Sequence, residues 1–392
     1  MVRRDVIIVG SGPAGAATAL GIAARDPRLA AGTTMLERSV HPRDKTCAGG
    51  VIPKGLRLLE QLGLGLDVPQ ARVDHARVET PRSRVGIDDA DLCRVIRRRD
   101  LDAMLAWAAR DRGIELREGE QVRALVRDGE GVRVETDREV YWARAVVGAD
   151  GSGSQVRRAL VPGDGGIVAR AVMADVAVRG TRWDGVERRR YDFDFRPCAT
   201  GLRGYRWIFP CVIDGVAHAN VGVYGLPPIY GVRLRRELGA MLDGIGATSA
   251  AWKAFPIRTL RRTSVVASPR ALLVGDAAGV DPLMGEGISF ALEYGDLAAQ
   301  ALVEAAARGD WSFAGYGRAV HAGPMGRKLA RLGLGVRLFY GRASALMFRL
   351  AARSARGQAF GLRWYNGVDG WDDRSAAQVL WALLTRRPAG IG

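Results

Sequence analysis

The 392-residue sequence is poor in cysteine: Cys47, Cys93, Cys198 and Cys211 are scattered, and no CxxC pair occurs. With four equally dispersed histidines, neither a zinc site nor a disulfide framework is expected, and a reduced cytoplasmic compartment fits. No apolar run is long enough for a membrane-spanning helix. Past Met1 the chain enters charged residues directly, so a secretory signal is not expected. Lysine is scarce: Lys45, Lys54, Lys253 and Lys328 stand among 58 basic residues, the rest being arginine. That skew reads as coding bias and argues against giving every arginine a task, despite a net charge of +16. Acid is missing from one long stretch. Between Asp310 and Asp369 there is none, against ten basic residues: Arg318, Arg327, Lys328, Arg331, Arg337, Arg342, Arg349, Arg353, Arg356 and Arg363.

What is present describes a globular chain, with 48% hydrophobic and 26% charged residues. Its length suits two or three interlocked domains. Residues 5–9 (DVIIV) read as a buried strand running into Gly10-Ser11-Gly12-Pro13-Ala14-Gly15, after which small residues from Ala16 to about Arg25 read as a helix. Gly10 suits the tight turn, Gly12 close approach to a pyrophosphate, and Gly15 close packing of helix on strand, with Pro13 and Ala14 counted among the cofactor-binding residues. A second apolar run, Thr33 to Leu36, ends in Glu37 and Arg38, and the Glu37 carboxylate is spaced to accept from an adenosine ribose. Together these predict a dinucleotide site.

Three later segments bear on its identity. Arg270–Val274 reads as a strand entering Gly275-Asp276, and Asp281-Pro282-Leu283-Met284-Gly285-Glu286-Gly287-Ile288 opens a helix reaching about Ala307. Val146 to Ser154 contains Asp150-Gly151, and Arg99-Asp100-Leu101-Asp102 heads another helix. In this order the segments resemble the p-hydroxybenzoate hydroxylase-like flavoprotein superfamily. That resemblance implies FAD, with Asp276 on the ribityl chain and Gly275, Gly285, Gly287 and Ile288 near the flavin. It also implies that Asp150 and Arg99 reach the cofactor, although singly Asp150 reads equally as a turn residue and Arg99 as a surface charge.

The loop Asp44-Lys45-Thr46-Cys47-Ala48-Gly49-Gly50 and the strand Gly204-Tyr205-Arg206-Trp207-Ile208-Phe209-Pro210 resemble the geranylgeranyl reductase branch. Ala48 stands where the branch has glycine. The return strand keeps Gly222 but has Tyr224 in place of a second glycine. Cys47 is either a small buried thiol or, as the resemblance implies, a group beside the flavin that positions substrate or relays a proton. No histidine base shares its motif, so it does not read as a nucleophile. Tyr205, Trp207 and Phe209 alternate onto one sheet face and read as plain core or as the wall of an apolar substrate cavity.

The expected fold is α/β (α+β overall). A Rossmann-like FAD-binding domain takes residues 1–70, 97–160 and 262–315. It is interleaved with an antiparallel-sheet substrate domain of residues 71–96 and 161–261, and a C-terminal helical region of residues 316–392 follows. In the acid-free stretch, Leu329, Leu332, Val336, Phe339, Leu346, Met347 and Leu350 lie among the arginines. Residues 316–364 therefore read either as a cap packed on the FAD domain or as a basic amphipathic surface for peripheral contact with a membrane. No nucleic-acid module is visible.

By resemblance the activity is FAD-dependent reduction of carbon–carbon double bonds in a prenyl substrate. Candidates are a geranylgeranyl lipid or diphosphate, or a prenyl quinone, with hydride from N5 of the reduced flavin and Tyr205, Trp207, Phe209, Pro210 and Gly222 facing the substrate. A class A monooxygenase of an aromatic or terpenoid substrate shares every cofactor motif. The electron donor is NAD(P)H or a reduced carrier protein such as ferredoxin, which the basic surface would suit.

Overall fold

The computed structural model describes residues 1–163, 166–228, 231–247, 251–341, 344–352 and 355–367, with side chains outside the description at 350–360. The end of the expected helical region (368–392), Arg342, Arg353, and the side chains of Leu350 and Arg356 thus lie outside the described residues. The chain begins β1 (Val2–Val9), α1 (Pro13–Arg25), α2 (Pro27–Ala31), β2 (Thr33–Glu37), β3 (Gly50–Val51), α3 (Pro53–Gln61), β4 (Gln70–Glu79), β5 (Arg84–Ile96) and α4 (Arg98–Asp111). There follow β6 (Glu115–Glu118), β7 (Val122–Asp128), β8 (Gly131–Thr136), β9 (Val140–Gly148), α5 (Gln155–Leu160), β10 (Ile167–Ala177), β11 (Arg190–Asp194), β12 (Gly204–Ile213), β13 (Val216–Gly225), α6 (Gly231–Ile245) and β14 (Trp252–Thr259). The last elements are β15 (Ala267–Ser268), β16 (Ala271–Leu273), α7 (Ile288–Arg308), α8 (Ala314–Ala322), α9 (Pro324–Phe339), α10 (Ser344–Ala352) and α11 (Ala355–Asn366).

Two sheets organise the molecule. The first runs β15-β16-β9-β1-β2-β6, parallel from β16 to β6, with β8 and β7 added antiparallel beside β9. Its central strands are apolar on both faces because helices cover both sides, as in other parallel sheets. Val6, Ile7 and Ile8 of β1 are fully buried. The small residues of α1 let α7 come close: a Cβ on Gly295 would sit 2.4 Å from Ala17 Cβ.

The second sheet runs β14-β10-β13-β12-β11-β4-β5-β3. It is antiparallel as expected except where β11 lies parallel to β4. Those two strands belong to separate excursions of the chain, so no hairpin dictates their direction. Residues Arg84–Ile96 form the single long strand β5, whose register with β4 shifts between Val73 and His75. Asp91, at φ 61°, takes the bend, and its N–H donates to Asp74 Oδ1 at 3.0 Å. The strands β6, β7, β8 and β14 have no counterpart in the sequence reading; charged residues interrupt their alternation.

One face of the second sheet packs on α6 through Ile208, Val221, Val223, Leu234 and Leu238. The other face looks toward the first sheet and forms one side of the cavity described below. Among the described residues no helix is long and apolar enough to cross a membrane.

Replacing Gly295 by alanine forces α1 and α7 apart. We expect Gly295→Ala to lower stability by about 1–3 kcal/mol in thermal or denaturant unfolding, the usual cost of overpacking.

Candidate functional site

Between the two sheets lies a cavity of about 720 Å³, within the range of small-molecule sites. Gly10, Gly12, Pro13, Ala14, Glu37, Arg38, Cys47, Ala48, Gly49, Asp150, Gly275, Asp276, Gly285, Gly287 and Ile288 line one half, and Tyr205, Trp207 and Phe209 line the other. Gly10 makes the turn out of β1 at φ +100°, and a Cβ there would meet Ala149 O at 2.5 Å. Gly15 is not in the lining; it packs on the turn, where a Cβ would meet Gly10 O at 2.0 Å. The start of α1 has Pro13 in its first turn and no capping side chain, so its orphan amides remain for an anionic group.

Glu37, Asp150 and Asp276 are among the carboxylates that line the cavity. Glu37 Oε2 accepts from Ser11 N (3.2 Å), Ser11 Oγ (2.9 Å) and Arg43 Nη2 (3.1 Å), while Oε1 takes Ser39 N at 3.1 Å. Burial alone would raise its pKa, but Arg43 and the Ser11 bonds outweigh it and leave the carboxyl below its usual range. Asp150 Oδ2 accepts from Gln155 N (2.6 Å) and Val156 N (3.2 Å), capping α5, and its buried Oδ1 has no partner. Burial raises the pKa of Asp150. Burial also raises Asp276, against the pull of Lys45 and Arg98, and Asp276 Oδ2 accepts from Ser152 Oγ at 3.2 Å.

The loop between β2 and β3 is held by buried charge. Arg43 bonds Glu37 and, through Nη1, Asp102 Oδ2 at 3.0 Å; Arg98 bonds both oxygens of Asp102 at 2.6 and 2.9 Å. Asp102 is fully buried. Arg98 lines the cavity, whereas the expected Arg99 points outward and is exposed. The correction is one of helical phase: α4 starts at Arg98, which puts Arg98, not Arg99, one turn before Asp102 on the inner side. Within the loop, Cys47 lines the cavity with Sγ 3.4 Å from the donating Gly49 N. Lys45 lies with Nζ 3.2 Å from the centre of the Phe255 ring. Burial pushes the Lys45 ammonium down to about 8, with Arg98 adding to the shift and Asp276 opposing it.

The apolar half is the inner face of the second sheet. Cross-strand register puts Val78, Phe193, Trp207, Gly222 and Met173 in one row across five strands. Gly222 is not itself in the lining; it leaves room for Trp207. Pro210 is a second correction: by alternation it turns to the face carrying Ile208, against α6, so it cannot touch a ligand in the cavity. Phe339, Phe348 and Leu362 close the outer end from the C-terminal helices.

Four tyrosine hydroxyls clamp the segment between Asp281 and Met284. Tyr205 donates to Met284 O (2.6 Å), Tyr224 to Pro282 O (3.0 Å), Tyr340 to Leu283 O (2.8 Å) and Tyr365 to Asp281 Oδ2 (2.9 Å). Tyr224, the residue in place of a family glycine, thus has a task. Lys328, from the acid-free stretch, is 1% exposed, and Nζ donates to Tyr365 O at 3.1 Å at the end of α11.

Comparison with known proteins gives the family. Residues 3–184 match the model of an FAD binding domain. Menaquinone reductase of Mycolicibacterium smegmatis is 31% identical over 337 residues, covering 76% of this chain and 76% of that protein. The chloroplastic geranylgeranyl diphosphate reductase of Oryza sativa subsp. japonica is 29% identical over 328 residues, covering 78% of this chain and 68% of that protein. The chain belongs to the geranylgeranyl reductase family of FAD-dependent oxidoreductases. A geranylgeranyl bacteriochlorophyll reductase-like protein from Thermoplasma acidophilum shares its fold, with TM-score 0.78 at 20% identity over 99% of this chain and 98% of that one.

The residues of this oxidoreductase fit FAD. The uncapped α1 amides suit the pyrophosphate, Glu37 Oε1 has capacity for a ribose hydroxyl, and the unpartnered Asp150 Oδ1 and the cavity-facing Asp276 suit further hydroxyl donors. Sequence reasoning missed Arg43, Arg98 and the cavity position of Lys45. Only the i,i+4 spacing of Arg98 and Asp102 was there to find them by.

Two outcomes are expected. Arg98→Met leaves the buried Asp102 with Arg43 as its one remaining charged partner and costs about 3 kcal/mol together with bound flavin, while Arg99→Met stays within about 0.5 kcal/mol, in unfolding and flavin-content measurements. Lys45 is depressed in the fold, so between pH about 8 and 10.5 the unfolded chain binds the proton that the native chain has released. Over that window Lys45 makes stability rise with pH. Melting curves of wild type minus Lys45→Met read this contribution, which is absent in the variant.

Proposed function

We propose that this FAD-dependent oxidoreductase reduces isolated carbon–carbon double bonds in a prenyl chain, carried by a prenyl quinone, a geranylgeranyl lipid or a geranylgeranyl diphosphate. One observation carries the reading: a single cavity joins a nucleotide-type half to a row of buried aromatic and aliphatic side chains, with no wall between them. The relatives named menaquinone reductase and geranylgeranyl diphosphate reductase support the same substrate class.

Bound reduced FAD supplies a hydride for one alkene carbon. The protein's share is to exclude water, align the chain and deliver a proton to the other carbon. The sheet face bearing Phe193, Trp207 and Phe209 excludes water and gives the chain a rigid surface. The proton donor in this reading is Cys47, which lines the cavity, or a water beside it. Electrons come from NAD(P)H or from an acidic reduced carrier drawn to the arginine-rich surface. Leu334 and Leu346 are 55% and 51% exposed beside Arg337 and Arg349 on α9 and α10, a pattern suited to an anionic membrane from which the substrate is taken up.

The test is anaerobic reduction with dithionite followed by prenylated lipids in anionic or neutral vesicles, with products read by mass spectrometry. A gain of two hydrogens per reduced bond, faster from anionic vesicles, is expected. Oxygen incorporated in a parallel sample run in air, with no hydrogen gain in its absence, would instead establish the monooxygenase reading. Equal rates from both vesicles would remove the membrane contact alone.

A further inference from the structure

Trp207 stands in the middle of the apolar wall, and a chain of polar groups with no part in the proposed reaction, buried at Asn220 and partly exposed at Asp175 and Arg97, holds its indole. Nε1 donates to Asn220 Oδ1 at 2.8 Å, and Asn220 Nδ2 donates to Asp175 Oδ1 at 2.7 Å. Asp175 in turn accepts from Arg97 Nη1 and Nη2 at 3.0 and 2.9 Å. Asn220 is 1% exposed. The three strands bring these side chains to one face because Asn220 lies opposite Asp175 on β10 and opposite Phe209 on β12.

The chemistry leaves Asn220 one orientation. An indole N–H only donates and a carboxylate only accepts, so the amide oxygen must face Trp207 and the amide nitrogen Asp175. The opposite flip would set donor against donor and acceptor against acceptor. Beneath the ring, Gly222 offers no side chain to steer it. Gly222 lies opposite Trp207, and a Cβ there would fall 2.1 Å from Cζ2, so the indole rests on bare backbone. Tyr205 and Phe209 flank the ring at centroid distances of 5.9 and 6.5 Å. Such flanks limit tilt, but apolar contact is non-directional and does not choose which edge of the indole faces inward. The hydrogen bond makes that choice.

The chain ends at Arg97, the residue capping α4, beside Arg98 in the nucleotide half. These polar groups therefore tie the plane of the aromatic wall to the helix that carries Arg98 and Asp102.

We propose that Asn220, held by Asp175 and Arg97, is a positioning residue that sets the plane of Trp207 and with it the width of the apolar arm, and so selects among prenyl chains. The selectivity part of this assignment rests on the reductase reading of the cavity; the positioning part does not.

The experiment uses the full-length, FAD-loaded protein. Asn220→Leu removes the acceptor at similar volume, and Asn220→Ser is a smaller second variant should the first not fold. The Trp207 indole 15N–1H resonance, assigned by its loss in Trp207→Phe, is followed for exchange with deuterated water. Km and kcat are measured for prenyl substrates of increasing isoprene number, and binding of the fully saturated alcohols of the same lengths is read from flavin absorbance. Loss of one such buried hydrogen bond should speed Trp207 exchange and raise Km for the preferred chain by about ten-fold each. Preference among chain lengths should flatten in both turnover and binding, with kcat and flavin content little changed. Unchanged Trp207 exchange overturns the proposal, as does faster exchange with chain-length preference intact. If the wild type reduces no prenyl chain, the reductase reading fails, and binding of the saturated alcohols still decides whether Asn220 sets the selectivity.

Discussion

The chain of buried charge Glu37–Arg43–Asp102–Arg98 is the constraint on which the cavity depends. A carboxylate with no solvent exposure, as at Asp102, is tolerated only when its charge is matched and its lone pairs are occupied. Arg43 and Arg98 supply three bonds to it, and Arg43 adds a fourth to Glu37. The loop from Arg38 to Gly50 has little regular structure of its own. It takes one shape because Arg43 must reach two carboxylates at once, and that shape carries Lys45 and Cys47 to the junction of the two halves.

A second constraint closes the junction from the other side. The Asp281–Gly287 segment is rich in glycine and exposes backbone carbonyls that burial would leave unpaired. Tyrosines from β12, β13, the C-terminal end of α9 (Tyr340, just past its last residue) and α11 satisfy Met284, Pro282 and Leu283 and cap Asp281, so the apolar wall and the glycine-rich turn hold each other in place. Tyr205 and Tyr224 show why polar tips belong in an aromatic wall: their rings line the cavity while their hydroxyls turn to backbone carbonyls. It also gives the acid-free C-terminal stretch a structural role within the described residues, because Tyr340, Lys328 and Tyr365 all serve this closure.

Much of the cofactor half was legible in the sequence. Gly10-Ser11-Gly12-Pro13-Ala14-Gly15 after an apolar strand, and Gly275-Asp276 after another, carry their chemistry in local backbone requirements, which depend on residue type at fixed spacing. The parts that were not legible have one physical origin. Arg97, Arg98 and Arg99 are interchangeable in composition, and only the residue at which α4 begins decides which points inward. Pro210 belongs to the aromatic strand in sequence but to the opposite face in space. Tyr224 reads as a departure from a family pattern until Pro282, 58 residues away, is seen to need a donor.

The sequence alone determined a dinucleotide-binding turn, the two-sheet α/β plan and the aromatic strand, because glycine turns, apolar periodicity and strand alternation act over a few residues, while FAD itself was implied by the family resemblance. Tertiary structure alone decided which arginine meets Asp102, what orients Trp207, and that the aromatic face and the nucleotide half share one cavity. Those outcomes depend on side chains brought together from distant strands and helices, where burial makes each unpaired polar group costly and so selects the partners that no local pattern names.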